Sequence, residues 1–222
     1  MKKLTLLLLI PFVLFSCKKE ENKRDVTLTT ETTDPGVVIN GVKWATRNVD
    51  KPGTFTEKKE APGMLYQWNR KVGWSATDSM INTDGTTKWD NSLSDEDTKW
   101  IDANDPCPNG WRVPTNEELQ SLLDAGSKWT THPVYGRIFG SGNNAIFLPA
   151  VGYIAGRDGR LCTIQNGYYA AFGYYWGNAS NKIGGADFLC FGSEDSYVQV
   201  YVWSVDTRDE GQSVRCVAEI EQ

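Results

Sequence analysis

From Val37 onward only one stretch of this chain carries the signals of a helix, and that restriction governs what the chain can fold into. Thr115 followed by Glu118 forms a capping box, in which hydroxyl and carboxylate each accept from the other residue's amide. Leu119, Leu122 and Leu123 then recur at helical spacing on one face, Gly126 supplies the stop, and Pro114 holds the approach extended. Everything else with apolar content is short and β-like: Ala145 to Tyr153, Tyr168 to Trp176, Ala186 to Phe191, Val198 to Val205 and Val214 to Ile220. Gly, Asn and Asp turns separate these runs and none alternates with a helix. The expectation is an α+β domain with antiparallel pairing, not a doubly wound sheet.

Earlier segments fit that scheme. Asn40-Gly41, between Val37-Val-Ile and Val42-Lys-Trp44, is the signal of a tight type I′ hairpin. Residues 50–62 read as loop, Gly63 to Trp68 as a short buried strand or turn. Residues 75–105 read as a long ordered loop fastened by Trp89 and Trp100. Nine Trp, nine Tyr and 21 Gly point to a loop-rich body pinned by large aromatic plugs.

Ahead of this body, Lys2 and Lys3 precede an apolar run from Leu4 to Phe15 that is too short to remain across a bilayer. The pattern is that of a secretory signal, excluded from fold reasoning. Its end, Leu14-Phe15-Ser16-Cys17, resembles a lipobox, whose cysteine becomes a fatty-acylated first residue (palmitate is one such chain). The alternative is an ordinary secreted protein, but Leu14-Phe15-Ser16 lacks the small-x-small pattern of a plain cleavage site. The expected organisation is a signal peptide over 1–16, a lipidated flexible tether over 17–36 and one domain over 37–222. The tether is polar, Thr-rich and nearly free of core formers. Its first charged residues resemble the export tags of Bacteroidetes surface lipoproteins. Display on the outer membrane, facing the cell exterior, is therefore expected; the periplasmic face is the alternative.

Net charge is −5, and loss of Lys2 and Lys3 would leave 21 basic against 28 acidic side chains, or −7. An acidic chain with His132 as its single histidine has no basic footprint for nucleic acid or anionic lipid. Membrane contact is expected through the lipid anchor only. Four cysteines remain beyond Cys17, namely Cys107, Cys162, Cys190 and Cys216; an even count in an oxidising compartment allows up to two disulfides, in three connectivities.

One block is specific. Cys107-Pro-Asn-Gly-Trp111-Arg-Val-Pro114-Thr115-Asn-Glu-Glu118-Leu resembles the signature of the Fibrobacter succinogenes major paralogous domain, common in lipoproteins of gut Bacteroidetes. Gly41-Val-Lys-Trp44-Ala-Thr-Arg-Asn48, Leu148-Pro-Ala-Val-Gly152-Tyr, Tyr174-Tyr-Trp176 and Gly211-Gln-Ser-Val-Arg215-Cys216-Val fall in the same family's order, across residues 37–222. The resemblance implies a C-type-lectin-like fold, related to that of formylglycine-generating enzymes, with paired terminal strands. It also implies a disulfide between Cys107 and Cys216, worth about 4–5 kcal/mol for a loop of roughly 110 residues. Cys162 and Cys190 are either a second bridge or two buried thiols.

No catalytic constellation stands out. There is no H-E-x-x-H, G-x-S-x-G or P-loop, and no Ser or Cys motif accompanies His132. Glu117/Glu118 and Asp95/Glu96/Asp97 read as a capping turn and solvated charge. Cys162 and Cys190 lack the motif of the copper-using relatives, so no cofactor is implied. Asp78, Asn82, Asp84 and Asp90 have the oxygen-rich composition calcium needs, but not EF-hand spacing; turn-forming Asx residues are the expected reading and no metal site is assigned. Asp78-Ser79-Met80 resembles a short O-glycosylation motif, with Ser79 as acceptor.

For ligand binding the candidates are Tyr197, Gln199, Tyr201 and Trp203, which alternate with Val198, Val200 and Val202 along one run, together with Trp176 and Asn178. The first expectation is a non-enzymatic, surface-displayed adhesion or binding module for a glycan or protein partner. A structural or assembly subunit of an envelope or pilus complex is the second, and an enzyme related to the formylglycine-generating fold the third.

Overall fold

Asn40 and Gly41 both take positive φ, 49° and 83°, as a two-residue type I′ turn requires. They join β1 (Val37–Ile39) to β2 (Val42–Trp44) antiparallel, with Val37 opposite Trp44. The structure is a computed structural model that describes residues 33–78, 81–92, 97–163, 171–181, 184–193, 199–201 and 208–219, with backbone alone at 200 and 201. Signal, lipobox and most of the tether, including Cys17, lie outside those residues, as do Ser79, Tyr197 and Trp203. Along the chain follow β3 (Met64–Gln67), β4 (Gly73–Ser75), a 3-10 turn (Asp102–Asn104), β5 (Trp111–Arg112) and the helix α1 (Asn116–Asp124). Then come β6 (Ser127–Thr130), β7 (Gly136–Ser141), β8 (Asn144–Pro149), β9 (Tyr153–Ile154) and β10 (Leu161–Cys162). The remaining strands are β11 (Gly173–Ser180), β12 (Ala186–Phe191), β13 (Gln199–Tyr201), β14 (Gly211–Ser213) and β15 (Val217–Ala218).

These strands form three sheets. One runs β1-β2-β15-β5; the second runs β10-β9-β14-β11-β12-β13, with β3 and β4 attached through β14; the third is β6-β7-β8. Pairing is mostly antiparallel and one α-helix is present among the described residues, so the α+β expectation holds. Two exceptions to antiparallel pairing occur among the described residues. Tyr175 of β11 lies parallel to Ser213 of β14, and Gly152 bridges Gly173 in parallel.

Helix α1 starts where the capping box places it. Thr115 Oγ1 accepts from the Glu118 amide at 3.2 Å and a Glu118 carboxylate oxygen accepts from the Thr115 amide at 2.8 Å. The same carboxylate accepts from both terminal guanidinium nitrogens of Arg112, Nη2 at 2.7 Å and Nη1 at 2.8 Å. Leu119 and Leu122 bury in a cluster with Trp44, Phe139, Tyr175, Leu189 and Phe191, and Gly126 leaves the helix at φ 76°. The aromatic plugs are placed as well: Trp44, Trp68, Trp74, Trp100 and Trp176 are buried. Trp68 Nε1 donates to Gly177 O at 3.0 Å, and Trp89 Nε1 to Gly156 O at 2.7 Å. Such plugs call for a partner at the polar tip, which Trp68 and Trp89 have and the buried Trp44 Nε1 lacks.

β15 adds to β2, Val217 opposite Trp44, and Cys107 bonds Cys216 across 109 positions. Cys162 and Cys190 are two buried free thiols, so no second bridge forms. Several expected boundaries move. The run from Ala145 breaks after Pro149, where Gly152 takes φ 83°, and resumes as β9. The expected strand from Val214 to Ile220 is instead a crossover: β14 ends at Ser213, Val214 O and Cys216 O accept from the Val49 and Ala45 amides, and β15 joins another sheet. The body also reaches further forward than Val37. Asp34 is buried, its carboxylate accepting from the Gly36 and Thr46 amides, the Thr46 hydroxyl and Arg47 Nε. Burial alone would raise its pKa, but these hydrogen bonds outweigh it and hold the pKa below the ordinary value.

A buried cation ties the parts together. Arg215 is 1% exposed and donates through Nε and Nη2 to Asn48 Oδ1 (3.0 and 2.6 Å), and to Ala45 O and Phe147 O, both at 3.1 Å. Burial pulls its pKa down to about 10. Neutral oxygens, not a carboxylate, satisfy the guanidinium.

Candidate functional site

The same network shapes a concavity among the described residues. Asn48 Nδ2 donates to Pro62 O at 2.8 Å and to Tyr175 Oη at 3.2 Å, while Tyr175 Oη donates to Pro149 O at 2.8 Å. Burial pushes the Tyr175 hydroxyl up to about 12, so it stays a donor. Pro62 and Pro149 are two sides of one cavity of about 580 Å³, which Glu60, Ala76, Thr77, Thr131, His132, Pro133, Val134, Tyr135, Ala150, Val151 and Thr163 complete. A second cavity of about 470 Å³ adjoins it, sharing Pro62, Ala76 and Thr77 and adding Asp50, Thr56, Glu57, Lys58, Ala61, Gly63, Met64 and Ser75. Both volumes fall in the range that holds small ligands, roughly 300–1,000 Å³.

Each wall is fixed locally. The 50–63 loop is closed by Asp50 N to Thr54 O, Thr56 N to Asn48 O and Ala61 N to Lys58 O, and by the Tyr66 hydroxyl, which donates to Asp50 O. Gly63 must be glycine: its φ is +70° and a Cβ there would sit 2.2 Å from Val49 O. On the facing side the Ser75 and Thr77 hydroxyls bond each other at 3.0 Å, and Ser75 Oγ accepts from the Thr77 and Asp78 amides. The third wall is the β6–β7 connection, with a cis His132–Pro133 peptide. Ala150 N donates to Tyr135 O at 2.8 Å. Tyr135 is 45% exposed and its ring lies 6.2 Å from that of Trp129, which backs it.

Chemically, the cleft offers an apolar strip (Pro62, Pro133, Val134, Pro149, Val151), one exposed aromatic ring, several hydroxyls, and three carboxylates against Lys58. Glu60 is also paired at 3.9 Å with Lys59. The strongly displaced acids are elsewhere. Glu210 lines neither cavity; burial raises it to about 7, against a 3.0 Å hydrogen bond from Gln212. Cys190 is pushed by burial to about 11, which keeps it a thiol.

The sequence candidates fare unevenly. Trp176 is fully buried, its Nε1 donating to Tyr66 O at 2.6 Å, so it is a core plug and not a contact surface. Asn178 serves its backbone, receiving the Trp100 amide and donating to Pro114 O. Gln199 is exposed and sits opposite Cys190, with Tyr201 opposite Phe188 by register; Tyr197 and Trp203 lie outside the described residues. Asn82 and Asp84 behave as Asx turns: Asn82 Oδ1 accepts from Gly85 N, and Asp84 Oδ1 from the Thr86 and Thr87 amides. Among the described residues no three His, Cys, Asp or Glu side chains converge to hold a metal ion. The cleft escapes sequence reading because its lining is gathered from separate loops and strand ends between Asp50 and Thr163. The one local hint is Thr131-His132-Pro133-Val134-Tyr135, where an aromatic and an aliphatic residue stand in an otherwise polar turn. Comparison with protein families, curated proteins and solved structures finds no match to this chain.

Proposed function

We propose that this protein is a non-catalytic binding module, moored by lipid at Cys17 on the outer face of the outer membrane, that holds a glycan in the cleft between the 50–63 loop and the β6–β7 connection. The cleft itself carries the reading: an exposed Tyr135 ring, an apolar strip and a rim of hydroxyls and carboxylates suit a ligand with both hydroxyls and C–H faces. The β2–β15 pairing and the Cys107–Cys216 bridge support membership of the Fibrobacter succinogenes major paralogous group and its C-type-lectin-like fold, since both are features that resemblance implies. The cleft is taken as the site because described side chains converge there; most of the Tyr197–Trp203 run lies outside the described residues.

Two measurements test this. The purified protein applied to a glycan array should be retained, and Tyr135→Ala and His132→Ala should lose retention with an unchanged melting temperature, as both side chains are exposed. A blank array, with crosslinking that recovers the same envelope protein each time, would favour an assembly subunit instead. Mass spectrometry should find acyl chains on Cys17, lost in Cys17→Ser; an intact leader on soluble material would remove the anchor.

A further inference from the structure

Pro62, Ala76 and Thr77 line both cavities, and among the described lining residues these three are the ones that form the saddle between them. Their chemistry differs at the two ends. Beyond the saddle on one side are Tyr135, Val134 and Pro133, with Tyr135 and Val134 45% and 39% exposed; beyond it on the other are Asp50, Glu57, Lys58 and Ser75. Either cavity alone is large enough for a small ligand. One molecule touching both must be elongated and must carry polar groups along its length.

We infer that the cavities are subsites of a single groove whose ligand is a linear, non-acidic oligosaccharide crossing the Pro62–Ala76–Thr77 saddle, one unit lying against Tyr135 and another reaching Asp50 and Glu57. This deepens the glycan reading and rests on it. Charge selects against acidic chains: Asp50, Glu57 and Glu60 face one lysine in the lining, within a protein of net charge −5, so a polyuronate or sulfated polymer meets repulsion of its own sign. Main-chain geometry selects against an extended peptide adding as a strand. At the wall formed by β4, the Ser75 amide donates to Ile81 O and Gly73 O accepts from the Thr83 amide, while the Met64 amide donates to Val49 O. The backbone groups that strand addition needs are spent there, and side chains are left to do the binding.

The test is a chain-length series by calorimetry with the full protein. Glucose, mannose and N-acetylglucosamine oligomers are taken from monomer to hexamer, with galacturonate oligomers beside them. Affinity should rise roughly tenfold or more between the monomer and the tetramer of the series that binds, equivalent to about 1.4 kcal/mol, and galacturonate should bind worst. Thr77→Phe places a ring on the saddle from an exposed position; it should abolish the gain with length. Glu57→Gln, also at an exposed position, should lower affinity for long oligomers only. A monomer that binds as tightly as the hexamer, or a gain with length that survives Thr77→Phe, overturns the single groove and leaves glycan binding standing. Tighter binding of galacturonate overturns the charge selection. Absence of binding by any oligomer overturns the proposed function and this inference with it.

Discussion

Replacing Asn48 by alanine removes the hinge of the buried network, and its cost can be worked from four hydrogen bonds. Asn48 Oδ1 accepts from Arg215 at 3.0 and 2.6 Å, and its Nδ2 donates to Pro62 O and Tyr175 Oη. In Asn48→Ala the buried guanidinium keeps only the Ala45 and Phe147 carbonyls. A hydrogen bond to a charged group contributes about 1.5–3 kcal/mol, and a buried charge stripped of its partner costs roughly 3–5 kcal/mol. The expected loss is therefore about 4 kcal/mol, read as a lower midpoint in urea with an unchanged m-value, the disulfide intact throughout. The decisive comparison is with Arg215→Met, alone and combined. Once the charge is gone, removing Asn48 should cost much less, so the double variant should be more stable than the two single losses added together, by at least about 1 kcal/mol. Strict additivity, or a loss under about 1 kcal/mol for Asn48→Ala, would refute the claim that the network is organised around an otherwise unsatisfied cation.

Three further perturbations follow from the same structure. Cys107→Ala, or reduction of the bridge, should cost about 4–5 kcal/mol in the chain-entropy model for a separation of 109, measured by denaturant unfolding with and without reductant. Glu210 stands raised from 4.5 to about 7. Between those values the unfolded chain releases a proton that the folded one retains, so stability should fall as pH rises through this window, by up to about 3 kcal/mol. Glu210→Gln should flatten that part of the stability–pH curve, and an identical slope in both proteins would sink the assignment. Gly63→Ala adds a Cβ at φ +70°, 2.2 Å from Val49 O, and should cost at least about 2 kcal/mol by thermal unfolding.

What could be read in advance was whatever is decided within a few residues. The Asn40-Gly41 turn and the Thr115/Glu118 capping box are local agreements between backbone and side chain, and both stand where the spacing puts them. The β6–β7 hairpin was not legible. Ser127-Lys-Trp-Thr has no clear alternation, and Gly136 and Gly140 interrupt the partner strand. Gly136 is nevertheless required there, because a Cβ would meet the Phe147 ring at 2.5 Å and Leu148 O at 2.4 Å. That demand is imposed by β8, not by neighbours in sequence. The Val214 to Ile220 run failed for a related reason. Its composition specifies an extended chain, but which sheet each half joins depends on Val49, Ala45 and Trp44, some 170 positions earlier.

The candidate site follows the same rule, and the Tyr197 to Trp203 run, most of whose side chains lie outside the described residues, stays untested beside it. Alternation in Tyr197 to Trp203 says only that one face is more polar; it carries no information about concavity. A cleft needs walls from different segments held at a fixed gap, and here the gap is set by buried side chains that line neither cavity. Asn48 holds the Pro62 carbonyl, Tyr175 holds the Pro149 carbonyl, and the two are joined at 3.2 Å. Arg215 fixes Asn48 in turn. The residues that position the cleft are consequently the buried polar ones, and those that meet solvent in it, such as His132, Tyr135, Thr77 and Glu57, are free to vary without cost to the fold. If that division is right, substitutions at Asn48 or Tyr175 should change binding and stability together, whereas those at Tyr135 or Glu57 should change binding alone.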